Sequence, residues 1–192
     1  ARLQEGFATP DSLAIDIGQF NLSAGLDTLD SAFFPTRGVR LSSRWSIARE
    51  SLGASADFET LEAHAMGAWS RGSDTLIAQL DAASSLTGTV PIESLFRIGG
   101  LFSLSGYKEE ELVGETYALG RLVYRRRLNR DNAQAFGVPL YAGVSLEGGN
   151  VWADRDLAST SDITLAGSVF LSADTVMGPV YLAYGRSDAD RQ

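Results

Sequence analysis

The sequence predicts an all-β fold, an antiparallel transmembrane β-barrel of about eight strands. Three observations predict it. Apolar and polar residues alternate with period two along most of the chain, the pattern of strands with two unlike faces. The polar faces mix Arg, Asp and Glu with Ser, Thr and Gly, whereas the apolar faces carry almost no charge. A small soluble barrel turns its apolar face inward and its charged face to water. Short and long connections also alternate, as in a barrel with tight turns on one rim and loops on the other.

Taken in order, Phe20, Leu22, Ala24 and Leu26 alternate with Gln19, Asn21, Ser23 and Gly25 in the first strand. In the second, Val39, Leu41, Trp45 and Ile47 oppose Arg40, Ser42, Arg44 and Ser46. The third sets Leu61, Ala63, Ala65 and Trp69 against Thr60, Glu62, His64 and Met66. The fourth sets Leu76, Ala78, Leu80 and Ala82 against Thr75, Gln79 and Asp81. A long interruption follows, about residues 85–115, and then Ala118, Leu122 and Tyr124 alternate with Arg121 and Arg125. Leu140, Ala142, Val144 and Leu146 make the sixth pattern, opposite Gly143, Ser145 and Glu147. Ile163, Leu165, Val169 and Leu171 make the seventh, and Val180, Leu182 and Tyr184 the last. Uncharged stretches such as 17–26, 163–173 and 175–185 are 10 or 11 residues long. At ~3.3 Å per residue and a tilt of ~40°, that spans roughly 25 Å, the height of a lipid-facing band. Trp45, Trp69, Tyr124, Trp152 and Tyr184 lie near segment ends, where an interfacial aromatic girdle belongs.

Short connections are predicted at 70–74, 129–132 and 174–178, and longer ones at 51–57, 84–115 and 148–162. The first, 27–38, is long where the alternation calls for a short one.

Composition narrows the function classes. The 192 residues suit one domain or a piece of a larger one. The net charge is −8, and Lys108 is the single lysine beside 15 arginines. No nucleic-acid partner is expected, because phosphate contact needs a concentrated basic face. The absence of cysteine excludes disulfides, thiolate metal sites and cysteine nucleophiles. His64 is the only histidine, which excludes a multi-histidine metal site. No cofactor is expected. No apolar run approaches the ~20 residues of a spanning helix. The start, Ala1-Arg2-Leu3-Gln4-Glu5, is neither an initiator Met nor a signal peptide, so the expectation is a mature or excised piece.

Four stretches, in this order and spacing, resemble one known family. The first is Leu26-Asp27-Thr28-Leu29-Asp30 followed by Phe34-Pro35-Thr36-Arg37-Gly38. The second runs from Arg97 through Gly99, Gly100, Leu101, Phe102 and Ser103 to Leu104, Ser105, Gly106 and Tyr107. The third is Leu122-Val123-Tyr124-Arg125-Arg126-Arg127-Leu128. The fourth is 143–152 with 178–185. Over about residues 20–186 the chain resembles the C-terminal β-barrel of the bacterial surface antigen superfamily, and most of all the version fused to patatin-like phospholipases. The resemblance implies that residues 1–192 are the C-terminal half of a sixteen-stranded barrel whose closing strand is missing. It implies a bacterial outer-membrane location. The implied partners are outer-membrane lipids, the remaining strands or another protomer, and the barrel-assembly machinery. Phe34 to Gly38 would be a periplasmic turn motif. Gly99, Gly100, Leu104, Ser105, Gly106 and Tyr107 would form a loop folded into the lumen. Glu147 and Gly149 would be its partners on the barrel wall. Translocating members carry V-R-G-F/Y in this loop, with an Arg that pairs with a wall Asp. Here Ser105 holds the Arg position and Glu147 the acid position, so that Arg–carboxylate lock cannot form as drawn. Leu104-Ser105-Gly106-Tyr107 followed by Tyr124-Arg125-Arg126-Arg127-Leu128 resembles the patatin-fused version instead.

The implied function is anchoring or helping to deliver a patatin-like lipase domain. The alternatives are a translocating or insertase barrel without an enzyme, and a soluble all-β binding module. No catalytic site is expected in this segment. Gly143-Val144-Ser145-Leu146-Glu147 fails the G-x-S-x-G pattern at its last position, and no Asp-Gly dipeptide occurs. A serine with His64, oriented by Glu62, is the one enzymatic arrangement available. The plainer reading of His64 is a lumenal polar residue. Arg40, Arg44, Arg121 and Arg125 are expected to pair with Glu62, Asp81 and Glu147 across the lumen. Arg125, Arg126 and Arg127 are weighed as a lipid-headgroup contact or a water-facing cluster.

Overall fold

The computed structural model describes residues 18–129 and 138–188. Expectations at Ile17, at 130–132 and at the chain end by Gln192 lie outside the described residues. The strands are β1 (Gln19–Asp27), β2 (Gly38–Ala48), β3 (Phe58–Arg71), β4 (Asp74–Gly88), β5 (Phe96–Ile98), β6 (Leu112–Gly114), β7 (Thr116–Arg127), β8 (Leu140–Trp152), β9 (Thr164–Thr175) and β10 (Gly178–Ser187). Eight of them form one sheet in the order β1-β2-β3-β4-β7-β8-β9-β10, and every pairing in it is antiparallel. The fold class read from the sequence is therefore what the chain adopts. The addition is β5 paired with β6, a ribbon of three-residue strands inside the long loop. Runs that short carry no readable alternation.

The apolar face looks outward. Leu80, Leu146 and Leu182 are 67%, 67% and 74% exposed, and Leu22 and Val144 share their face. Ser145 and Glu147, by contrast, are buried on the concave side. In β7, β8 and β9 burial follows strand parity, whereas β1 is exposed throughout; a one-residue slip of β7 or β8 would turn its inward charges to the outer face. Among the described residues no helix is long and apolar enough to cross a membrane, which says nothing of strands.

The rims differ. Residues 72–73 and 176–177 make tight turns on one rim. The opposite rim carries 49–57, 89–115 and 153–163. The anomalous first connection, 28–37, lies on the tight-turn rim and is long because it folds inward, as Phe34 is almost fully buried. Trp45, Trp69, Tyr124 and Tyr184 are exposed, as a girdle requires, but Trp152 is not. Among the described residues β1 and β10 each have one paired neighbour.

Candidate functional site

The 89–115 loop enters the concave side by a run of unusual backbone. Gly99, Gly100 and Gly106 have positive φ, and so do Phe102 (65°), Leu104 (71°) and Glu110 (57°). A left-handed residue with a side chain persists only where its surroundings hold it. Leu104 is held by burial: it is fully enclosed with Ile98, Leu119 and Ala166, and Tyr107 packs against that cluster.

The next residue makes the dock. Ser105 donates its backbone N–H to Glu147 Oε2 at 2.6 Å and its hydroxyl to Oε1 at 2.8 Å. Ser145, two residues before Glu147 and on the same face of β8, donates its hydroxyl to Oε1 at 2.5 Å. Ser145 Oγ also meets Ser168 Oγ at 2.8 Å and accepts the Ser168 N–H at 3.1 Å. The Phe102 N–H reaches Ser105 Oγ at 3.1 Å. Ser105, Ser145, Glu147 and Ser168 are all buried, so the carboxylate exchanges water for three protein donors. Opposite it in register stands Arg121 on β7. Arg121 donates to the Phe102 carbonyl at 2.8 Å and to the Gln79 side-chain oxygen, and its guanidinium lies 5.5 Å from the Phe102 ring centre. The loop tip is thus gripped by a buried acid and a neighbouring cation.

The other predicted loop residues face different partners. Gly106 lies against β10, where an added Cβ would sit 2.5 Å from Ser187 N. Gly185 mirrors it, since a Cβ there would sit 2.6 Å from Ser105 Cβ. Tyr107 packs on the Leu104 cluster and does not hydrogen-bond Glu147 among the described residues. Gly149 faces β7, with room for a Cβ denied by Ala118 O at 2.6 Å. Gly99 and Gly100 shape the entry to the ribbon.

The Phe34–Gly38 motif occupies the opposite end. Asp30 caps it, accepting the Thr36 N–H at 2.7 Å, the Thr36 hydroxyl at 2.5 Å and the Arg37 N–H at 3.2 Å. These donors, the Thr36 hydroxyl foremost, draw the Asp30 carboxyl from 3.8 down to about 2. Gly38 has φ 107°, and a Cβ there would fall on Thr28 O. Phe34 stacks on Tyr141 at 4.8 Å. Arg125 covers both rings at 5.1 and 5.2 Å and donates to Pro35 O at 2.6 Å. Tyr181 touches Phe34 on one side and Phe102 on the other, at 6.1 and 5.5 Å. Turn motif and loop tip therefore share one aromatic cluster.

Among the described residues, Arg40, Arg121 and Arg125 take local partners in place of the expected pairing across the lumen, and Arg44 stands opposite Glu62 in register. Arg40 pairs with Asp27 at 2.7 Å, Arg121 takes neutral oxygens, and Arg125 takes Pro35 O and two rings. Asp81 holds His64 Nδ1 and accepts from Gln79 at 2.6 Å. In a sheet, side chains meet those directly across the ladder, and His64 and Asp81 are register partners. His64 has Asp81 rather than Glu62 as its acid, and no serine bonds it among the described residues. Arg126 points outward at the tight-turn rim, 3.5 Å from Asp74.

Residues 15–185 match the Omp85 superfamily domain. The chain belongs to the Omp85 superfamily. Its fold is similar to that of BamA from Haemophilus ducreyi, in a crystal structure lacking POTRA domains 1–3, with a TM-score of 0.71 and 16% identity. The match covers 88% of this chain and 39% of that one. No curated protein sequence matches the chain. The Omp85 chain is a barrel segment located in the bacterial outer membrane, its sheet open at β1 and β10 among the described residues.

Proposed function

We propose that this Omp85 segment is the loop-bearing half of a barrel that inserts or translocates polypeptides at the outer membrane. The observation that carries the reading is the dock of the lumenal loop, Ser105 on Glu147. Fixing a loop tip to the wall costs ordering entropy and buries a carboxylate, and neither is needed to anchor a passive domain. An anchor needs only a lipid-facing surface. A barrel that handles polypeptides needs a lumen whose occupancy is controlled, and the loop occupies it. Glu147 takes the position of the wall acid in translocating relatives, and Ser105 supplies a hydroxyl and a backbone N–H where those relatives supply a guanidinium. The remaining strands, or a second protomer, would pair with β1 and β10, and the barrel-assembly machinery would install the whole.

Delivery of a patatin-like lipase, the reading first drawn from Leu104–Tyr107 and Tyr124–Leu128, stands on that residue pattern alone. The test uses the full-length protein in liposomes of outer-membrane lipid. Insertion or passage of an unfolded β-barrel substrate is measured beside phospholipid hydrolysis. Substrate insertion that falls in Glu147→Ala, with no hydrolysis in either protein, is the expected result. Hydrolysis by the full-length protein, with insertion unaffected by Glu147→Ala, would return the assignment to lipase delivery.

A further inference from the structure

Two cations on the concave face have no acid of their own. Arg121 and Arg125 lie on the inward side of β7, roughly 13 Å apart along the strand, and Arg125 is only 3% exposed. Neither guanidinium pairs with a carboxylate among the described residues. Three acids around them are engaged elsewhere. Glu147, the register partner of Arg121, gives its oxygens to Ser105 and Ser145. Asp81 takes His64 and Gln79, and Asp30 takes Thr36 and Arg37. Arg40, by contrast, has Asp27 at 2.7 Å.

A guanidinium carries five N–H donors. Arg121 donates to Phe102 O at 2.8 Å and to Gln79, and Arg125 to Pro35 O at 2.6 Å. The rings of Phe102, Phe34 and Tyr141, at 5.1–5.5 Å, offset part of the desolvation and bring no net negative charge. A cavity of about 90 Å³ lies between the turn insert and the loop tip, and both arginines border it. Met66, Ile77 and Phe170 give it apolar walls. Ala32 and Phe33 edge it and are exposed, which leaves it open to the lumen on that side. Apolar walls screen charge weakly, so two uncompensated cations attract a counter-charge more strongly here than in water. Water alone satisfies donors and leaves the charge.

We propose that this cavity binds one small free anion of halide size. The anion sits between the arginine that holds the loop tip, at Phe102 O, and the arginine that holds the turn insert, at Pro35 O. Bound, it ties the two inserts together. When it leaves, two like charges remain and push them apart. The volume sets the class of ligand, because a halide fits and a sugar acid such as gluconate is too bulky. The opening faces the lumen, so the anion comes from solution and not from the lipid.

The test takes the full-length protein in chloride-free detergent solution with sodium gluconate. Sodium bromide replaces the gluconate stepwise at constant ionic strength. Bromide is expected to raise the melting temperature by a few degrees along a saturating curve, and to slow cleavage after Lys108 by a lysine-specific protease several-fold. Arg121→Gln should abolish both responses. So should Met66→Phe, which fills the cavity and keeps both arginines. Crystals of the wild-type full-length protein grown in bromide need no variant, and an anomalous bromine peak in the cavity against Arg121 or Arg125 is expected. No peak there, or a side-chain carboxylate from the rest of the barrel in its place, would overturn the assignment. Equal responses to bromide and gluconate, or a bromide response that survives in either variant, would overturn it as well.

Discussion

Glu147 is where a single side chain carries the most. Its carboxylate is buried and satisfied by Ser105 and Ser145, so truncation orphans several buried groups together. Each costs about 1–3 kcal/mol. Glu147→Ala is expected to release the loop, and Lys108 offers a clean readout because it is the only lysine in the segment. In the wild-type protein, cleavage after Lys108 by a lysine-specific protease is expected to be slow. It should accelerate in Glu147→Ala and, less, in Ser105→Ala, which keeps the backbone donor. Unchanged rates would mean the loop is held elsewhere. Asp30 supplies a pH signature. Its folded value of about 2 lies below its ordinary 3.8, so its contribution to the turn is fully present above about pH 4 and is lost as pH falls through about 2. Thermal melts in detergent should show Asp30→Asn less stable than wild type at pH 6, with the gap narrowing as pH falls from about 4 through about 2. A gap of constant size over that range would locate the effect in shape rather than charge.

At the scale of elements, the loop and the first turn are two inserts from opposite rims that meet through Tyr181. Phe34→Ala empties the stack under Arg125 and leaves a cavity, a change that costs about 3–5 kcal/mol in well-packed sites. It is expected to raise single-channel conductance of the full-length protein in planar bilayers, because the turn would no longer fill its end of the lumen. Gly106→Ala forces a Cβ toward β10 at a left-handed residue, and should speed cleavage at Lys108 without touching Glu147. Much of this was legible in the sequence as motifs: Phe34–Gly38, Gly99–Tyr107 and 143–152 each stood out. Their partners were less so. Arg121 and Arg125 read as members of ion pairs, and the structure gives them carbonyl oxygens and aromatic faces instead. Arginine donates equally well to a carboxylate or a carbonyl, so residue type alone does not choose. Ser145 had a signal, a serine two residues before an inward acid on one strand face, and Ser168 had none beyond its place on a polar face.

At the scale of the whole molecule, β1 and β10 are the two unpaired edges of the sheet among the described residues. In lipid each unpaired backbone group costs several kcal/mol, so residues 1–192 expressed alone are expected to give no heat-modifiable band. The band should appear when the segment is expressed within its full-length protein, and its appearance with the segment alone would mean that copies close on one another. The sequence by itself determined the eight long strands, their faces and the direction of the apolar side, because period-two alternation is a local property and one buried face tolerates a single register. Tertiary structure alone decided which oxygen each arginine takes, that His64 pairs with Asp81, that Trp152 is covered, and that the loop tip rests on both Glu147 and β10. Those contacts join residues up to about ninety positions apart, and no local pattern encodes which distant backbone will arrive.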